Sequence, residues 1–149
     1  VSGERSLGDI LGEALKSRSS RSPIHDAGRG DSDSLRSLAS EHHNSGLDLT
    51  GLGRIAELGQ ALSFARLAAV DGTPDDLRAI VYLYGQLAGE CRALGDAAAA
   101  DTYEGQGYLL AEIMAEEGDE DMASMVVASA AAVSPGAHKT AKKLREAIV

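Results

Sequence analysis

Tryptophan is absent from this chain of 149 residues, and only one phenylalanine and one cysteine occur. Aromatic residues make up 3% of it, so no core built on large rings is possible. The lone Cys91 excludes an internal disulfide, and the fold is not expected to depend on an oxidising compartment. No run of 18 apolar residues occurs, so no membrane span is expected. The first residues do not follow the basic-then-apolar pattern of a secretory signal, which makes cytoplasmic synthesis the expectation. Proline is scarce, with 3 copies, leaving long stretches without a helix breaker.

What is present is alanine, supported by leucine, valine and isoleucine, within an apolar content of 44%. Small side chains let helices approach closely, which favours helix-on-helix packing. The length suffices for one domain with a core of its own.

The net charge of −9 is unevenly spread. Residues 1–54 carry 7 basic and 8 acidic groups, residues 55–134 carry 3 and 14, and residues 135–149 carry 4 and 1. A body this acidic repels phosphate, so direct nucleic-acid binding by the core is not expected, whereas basic protein surfaces suit it.

The chain divides near residue 47. Residues 17–46 are rich in Ser, Arg, Asp and Gly, a composition that reads as a polar linker. Beyond it, helical periodicity predicts helices over about 51–71, 74–94, 97–117, 120–133 and 136–148. The second of these is the clearest. Thr73 is its N-cap, Pro74 fits the first helical position, and Asp75 and Asp76 complement the helix dipole. Leu77, Ile80, Val81, Tyr84, Leu87, Ala88, Cys91 and Leu94 then form one apolar stripe. The stripes of the other helices include Leu52, Ile55 and Leu62, then Ala100, Tyr103, Leu110 and Met114, then Met122, Val126 and Val127, then Ala137, Ala141, Leu144 and Ile148.

Gly72, Gly95 and Gly118 recur every 23 residues, each followed by a capping residue, Thr73, Asp96 or Asp119. Joints this short predict antiparallel neighbours. The predicted fold is therefore all-α, an antiparallel up-down helical bundle or a short stack of helical hairpins. The spacing does not match the 34-residue period of tetratricopeptide repeats.

Chemistry-bearing patterns are few. His42 and His43 are adjacent, so on a helix they diverge by about 100° and do not suit one ion; a surface or partner-facing role fits them better. No Glu-x-x-His, His-Glu-x-x-His or cysteine pair occurs, and no metal or other cofactor is expected. Gly105 and Gly107 lack the preceding strand of a dinucleotide fingerprint and suit close approach of a neighbouring helix, or a kink, instead. No nucleophile-elbow spacing links the Ser, His and Asp residues, so an enzyme is not expected.

Two segments suit partners. Glu116, Glu117, Asp119, Glu120 and Asp121 surround Gly118, where they can serve a helix start or meet a basic surface. Near the start of the chain, Ser6 and Asp9 form a capping box. Leu7, Ile10, Leu11, Ala14 and Leu15 follow at helical spacing, predicting a short amphipathic helix over about 6–16. With the polar stretch after it, residues 1–46 read as an N-terminal arm on a helical domain of residues 47–149, its helix either docking on another chain or folding back onto its own bundle. The expected role is a non-enzymatic structural or adaptor subunit of a larger assembly, docking on other protein chains through that arm; a component of a phage or virus-like particle fits the description. The alternative is a stand-alone acidic binding module, of inhibitor or immunity type, for a basic partner.

Overall fold

The computed structural model describes residues 32–71 and 73–148, and the described residues are all-helical. The helices are α1 (Ser32–Leu47), α2 (Gly51–Ala68), α3 (Pro74–Ala93), α4 (Ala97–Glu116), α5 (Glu120–Ser129) and α6 (Pro135–Ile148), with a single 3-10 turn, Ala69–Asp71, after α2. The chain divides into two compact units, residues 1–83 and 84–149, the division falling within α3.

In the first unit, α1 packs along α2. Leu35, Ala39, His43 and Gly46 face Leu58, Ala61, Leu62, Ala65 and Ala68, the buried set of α2. A Cβ on Gly46 would lie 3.3 Å from Glu57 Cβ, so glycine is what lets the two helices close up. Arg54 then clamps the joint. Its Nε donates to the carbonyls of Gly46 (3.0 Å) and Leu49 (2.7 Å), and its Nη2 to that of Leu47 (3.1 Å). A cation on the open carbonyls of a helix C-terminus both satisfies them and complements the dipole.

Helix α1 corrects the sequence expectation, which placed residues 17–46 in a polar linker. From Ser32 onward that stretch is helix, and it buries Asp33, Ser34 and Arg36 beside Leu35 and Ala39. Composition argued against a core because these polar residues have no apolar stripe to offer. They are buried through ion pairing instead. Arg36 Nε and Nη2 donate to the two oxygens of the Asp76 carboxylate at 2.6 and 2.7 Å, and Nη1 donates to Asp33 at 2.8 Å. A forked guanidinium–carboxylate contact of this kind is the geometry in which a buried charge is tolerated.

In the second unit, the later half of α3 contributes Tyr84, Leu87, Ala88 and Cys91 to the core. Ala100, Leu109, Ala111 and Met114 come from α4, and Met122, Ala137 and Ala141 complete the set. The joints follow the sequence expectation closely. Gly95 and Gly118 have φ of +82° and +104°, and Asp96 N–H and Asp119 N–H return to the carbonyls of Cys91 and Met114. Asp96 then accepts from Ala99 N–H and Asp119 from Met122 N–H, capping α4 and α5.

Other expectations need correction. Leu52, Leu94, Val127 and Ile148, assigned to inward stripes, are 77%, 49%, 80% and 66% exposed. Leu52 and Ile148 lie in terminal turns and Leu94 just past its helix, where no neighbour among the described residues covers them. Helix α5 ends at Ser129, not near 133, because Ser134 N–H is drawn to Glu104 Oε1 at 3.0 Å and Ser134 itself caps α6 through Ala137 N–H.

Glycines give a direct test of the packing. A Cβ at Gly105 would stand 2.7 Å from both the Ala137 carbonyl oxygen and Thr140 Cβ, whereas one at Gly89 meets nothing within 4 Å. Gly89→Ala is expected to raise stability by about 0.5–1 kcal/mol through helix propensity. Gly105→Ala is expected to lower it by about 1–3 kcal/mol by forcing α6 away from α4. Denaturation midpoints moving in the same direction for both would refute close α4–α6 contact at this point.

Candidate functional site

The two partner-binding segments expected from sequence fare differently. Leu7, Ile10, Leu11 and Leu15 lie outside the described residues. The acidic segment is described throughout, and its members take separate tasks. Glu116, in the last turn of α4, accepts from Arg145 of α6 at 3.0 and 3.2 Å. Asp119 is committed to the α5 cap. Glu117, Glu120 and Asp121 are exposed, so three carboxylates face solvent around one joint.

Helix α5 carries this acidic end into an unusual surface. Its sequence between Met122 and Ala128 contains six apolar residues, yet Met122 is the only buried residue of the helix. Along its outer side run Glu120, Asp121, Ser124, Val127 and Ala128, and Ala131 extends the line beyond the helix end, all of them exposed. The outward stripe is thus acidic at its start and apolar at its finish.

The histidines separate as expected. His42 stacks on Phe64, with ring centroids 5.5 Å apart and planes 12° from parallel, and its Nδ1 lies 2.7 Å from Glu57 Oε2. His43 is buried, edge-on to Tyr82 at 6.2 Å. The surface role expected for the pair holds only in part for His42, which is half-buried, and is corrected for His43, which α1 turns inward. Among the described residues, no group of three His, Cys, Asp or Glu side chains is placed to hold a metal ion. No described helix is long and apolar enough to cross a membrane.

Cys91 is buried, and burial, with smaller contributions from Asp96 and Glu90, pushes its thiol above the usual range. Such a thiol is a poor nucleophile. In the second unit, Ser134 Oγ donates to Asp101 at 2.6 Å, and Arg92 reaches Asp101 and Glu104 at 3.3 and 3.2 Å. Ser134 secures the start of α6 against α4, and Arg92 ties the end of α3 to the same two carboxylates.

Sequence reasoning missed the most heavily buried polar cluster, Asp33, Arg36 and Asp76. Asp76 was read as a dipole partner alone. One signal was available: Thr73-x-x-Asp76 is a capping box, and in the structure Thr73 N–H donates to Asp76 Oδ2 at 2.9 Å. Nothing in the sequence signals that Arg36 completes it. No family model matches the chain, and no curated protein or solved structure matches it either.

Proposed function

We propose that the protein is a non-enzymatic structural or adaptor subunit of a larger assembly. Its helices form an antiparallel up-down body, and its N-terminal arm docks on another protein chain. The observation that carries this role is α5, an apolar helix that buries Met122 alone and leaves Val127 80% exposed. A surface of that kind suits a partner better than water. Leu47, Leu49 and Leu52, exposed together at the α1–α2 joint, add a second apolar area. A subunit of a phage or virus-like particle is one assembly that such a chain would serve. The alternative, an acidic module for a basic partner, draws support from the exposed carboxylates of Glu117, Glu120 and Asp121.

The arm itself is open to test. An isolated helix shorter than ~12–15 residues is marginal in water, so the apolar face of Leu7, Ile10, Leu11 and Leu15 needs a surface to persist. Leu11→Asp combined with Leu15→Asp is expected to abolish association seen by sedimentation while leaving the helical circular dichroism nearly intact. Unfolding of the whole chain by the pair would assign that segment to the body and defeat the docking role. The substitutions are preferable to deleting residues 1–46, because that deletion removes α1 and strips Asp76 of Arg36.

A further inference from the structure

The outer face of α2 reads the same from both ends. Leu52, Ala56, Gly59, Gln60, Ser63 and Leu67 all lie within this one continuous helix of 18 residues. Their three-and-four spacing puts them on the side opposite the buried Leu58, Ala61, Leu62 and Ala65. All but Gly59 are exposed, Leu52 at 77% and Leu67 at 56%. Counted inward from the two ends, leucine matches leucine, alanine matches serine, and Gly59 matches Gln60.

We infer that this face is a two-fold interface, on which α2 of a second copy of the chain packs antiparallel. Leu52 then lies opposite Leu67 of the second copy and Ala56 opposite Ser63. Each pair occurs twice, which is the self-complementarity that a closed dimer requires. Large side chains stand at the ends and small ones near the crossing, where the backbones approach. Gly59 marks that crossing. A Cβ there would meet nothing within 4 Å, so packing within the chain gives no reason for a residue that weakens a helix interior. The polar members bring no unmet demand. Ser63 Oγ already donates to the Gly59 carbonyl at 3.1 Å, and the two Gln60 amides, each both donor and acceptor, meet across the axis.

Charge selects this face for contact between like copies. A chain of net charge −9 repels its own kind, and the exposed carboxylates at the α4–α5 joint oppose such a contact there. Helix α2 carries two arginines and a single glutamate. Glu57 is turned to His42 of α1, and Arg54 to the carbonyls of the joint. Arg66, exposed at the edge of the face, falls level with Gly53 of the second copy. It stands about 20 Å along the axis from its own counterpart, beyond the screening length of ~8 Å. Two helices of this length meet along roughly 27 Å, a contact smaller than the ~1,600 Å² of a standard interface. The dimer is therefore reversible, with dissociation in the micromolar range or above. It goes beyond the arm-borne role proposed above and makes no use of Leu7, Ile10, Leu11 or Leu15.

Sedimentation of the full-length protein over a concentration series is expected to show a monomer–dimer equilibrium that salt does not weaken, since no ion pair crosses the face. Leu52→Asp and Leu67→Asp should each weaken it about tenfold or more through the leucine burial lost. Gly59→Leu should do the same, while the urea midpoint of the dilute protein stays at or above that of wild type, because the new side chain starts in open space. Cross-linking reads the register. Gln60→Cys should give a disulfide-linked dimer under mild oxidation. Leu52→Cys alone and Leu67→Cys alone should not, because like positions lie about 22 Å apart along the axis, whereas the two proteins mixed should cross-link to each other. Cys91 is buried, so wild type serves as the uncross-linked control. A wild-type chain that stays monomeric at every concentration overturns this interface and leaves arm docking standing. So does a dimer that Leu52→Asp, Leu67→Asp and Gly59→Leu leave unchanged. Leu11→Asp with Leu15→Asp should leave the Gln60→Cys cross-link in place; its loss would hand the contact to the N-terminal arm and overturn the α2 pair.

Discussion

Arg36→Ala is expected to lower the stability of the protein by about 3–5 kcal/mol, the largest effect of any single polar substitution in the described residues. The Arg36 side chain is fully buried, and so, nearly, are the two carboxylates it serves. Its removal leaves Asp76 without its cation in a site closed to water, and an uncompensated buried charge is far costlier than a missing surface pair. Urea denaturation gives the measurement directly. A midpoint within error of wild type would mean that α1 does not hold this ion pair in solution.

The same cluster makes a statement about acid. Burial works against the charged form of Asp76, but the hydrogen bonds from Arg36, aided by Thr73, outweigh it and hold the carboxyl below its ordinary value of 3.8. The mirror-image effect raises Arg36, led by its hydrogen bond to Asp76 against the cost of burial. A carboxyl depressed in the folded state contributes stability that is present above its unfolded pKa and lost as pH falls through the folded one. Wild type should therefore lose this contribution only below about pH 4. Titration of stability from pH 7 to 2 should show an acid limb that is shallower in Arg36→Ala, where the partner that depresses Asp76 is gone.

Leu87→Ala is expected to cost about 2–5 kcal/mol, because the side chain is fully enclosed in the second unit and truncation leaves a cavity as well as lost apolar burial. Its natural control lies on the same sequence stripe. Leu94 is 49% exposed, and Leu94→Ala should change stability by no more than about 0.5 kcal/mol. Equal effects at the two positions would show that α3 is not oriented as described.

That contrast marks how far the sequence can be read. Periodicity located the stripe of α3 and identified Leu77, Ile80, Val81, Tyr84, Leu87, Ala88 and Cys91 as core; all are buried except Leu77, which is half-buried. It could not tell Leu87 from Leu94, since a stripe has no information about where its neighbour ends. Leu83 and Ala79, fully buried as well, lay off the chosen stripe and were missed, because α3 is covered on a wider arc than one neighbouring helix requires. On α5 the same reasoning went astray at Val127, where a short helix has a neighbour for Met122 and, among the described residues, none for its outer side.

The candidate site divides along the same line. The acidic residues at the α4–α5 joint were visible as a run, yet which of them are spent within the chain depends on Arg145 and on the α5 cap. Glu117, Glu120 and Asp121 remain turned to solvent, and Glu116, though paired with Arg145, is exposed as well.

By itself, then, the sequence determined the helices from Gly51 onward, the end of α5 apart, and the joints at Gly95 and Gly118. Gly95 and Gly118 are needed where φ turns positive, and Asp96 and Asp119 are short acceptors placed to meet the first free N–H groups. These are local effects, complete within about one turn, and local pattern is enough to find them. The tertiary structure alone decided that a Ser- and Arg-containing stretch becomes α1. Arg36 is stable in a buried helix only because Asp76, 40 residues along the chain, is brought within 2.6 Å of it. Asp33, three residues before Arg36, supplies one carboxylate from the same helix, but the forked partner that chiefly offsets its desolvation belongs to another helix, and nothing near Arg36 in sequence points to it.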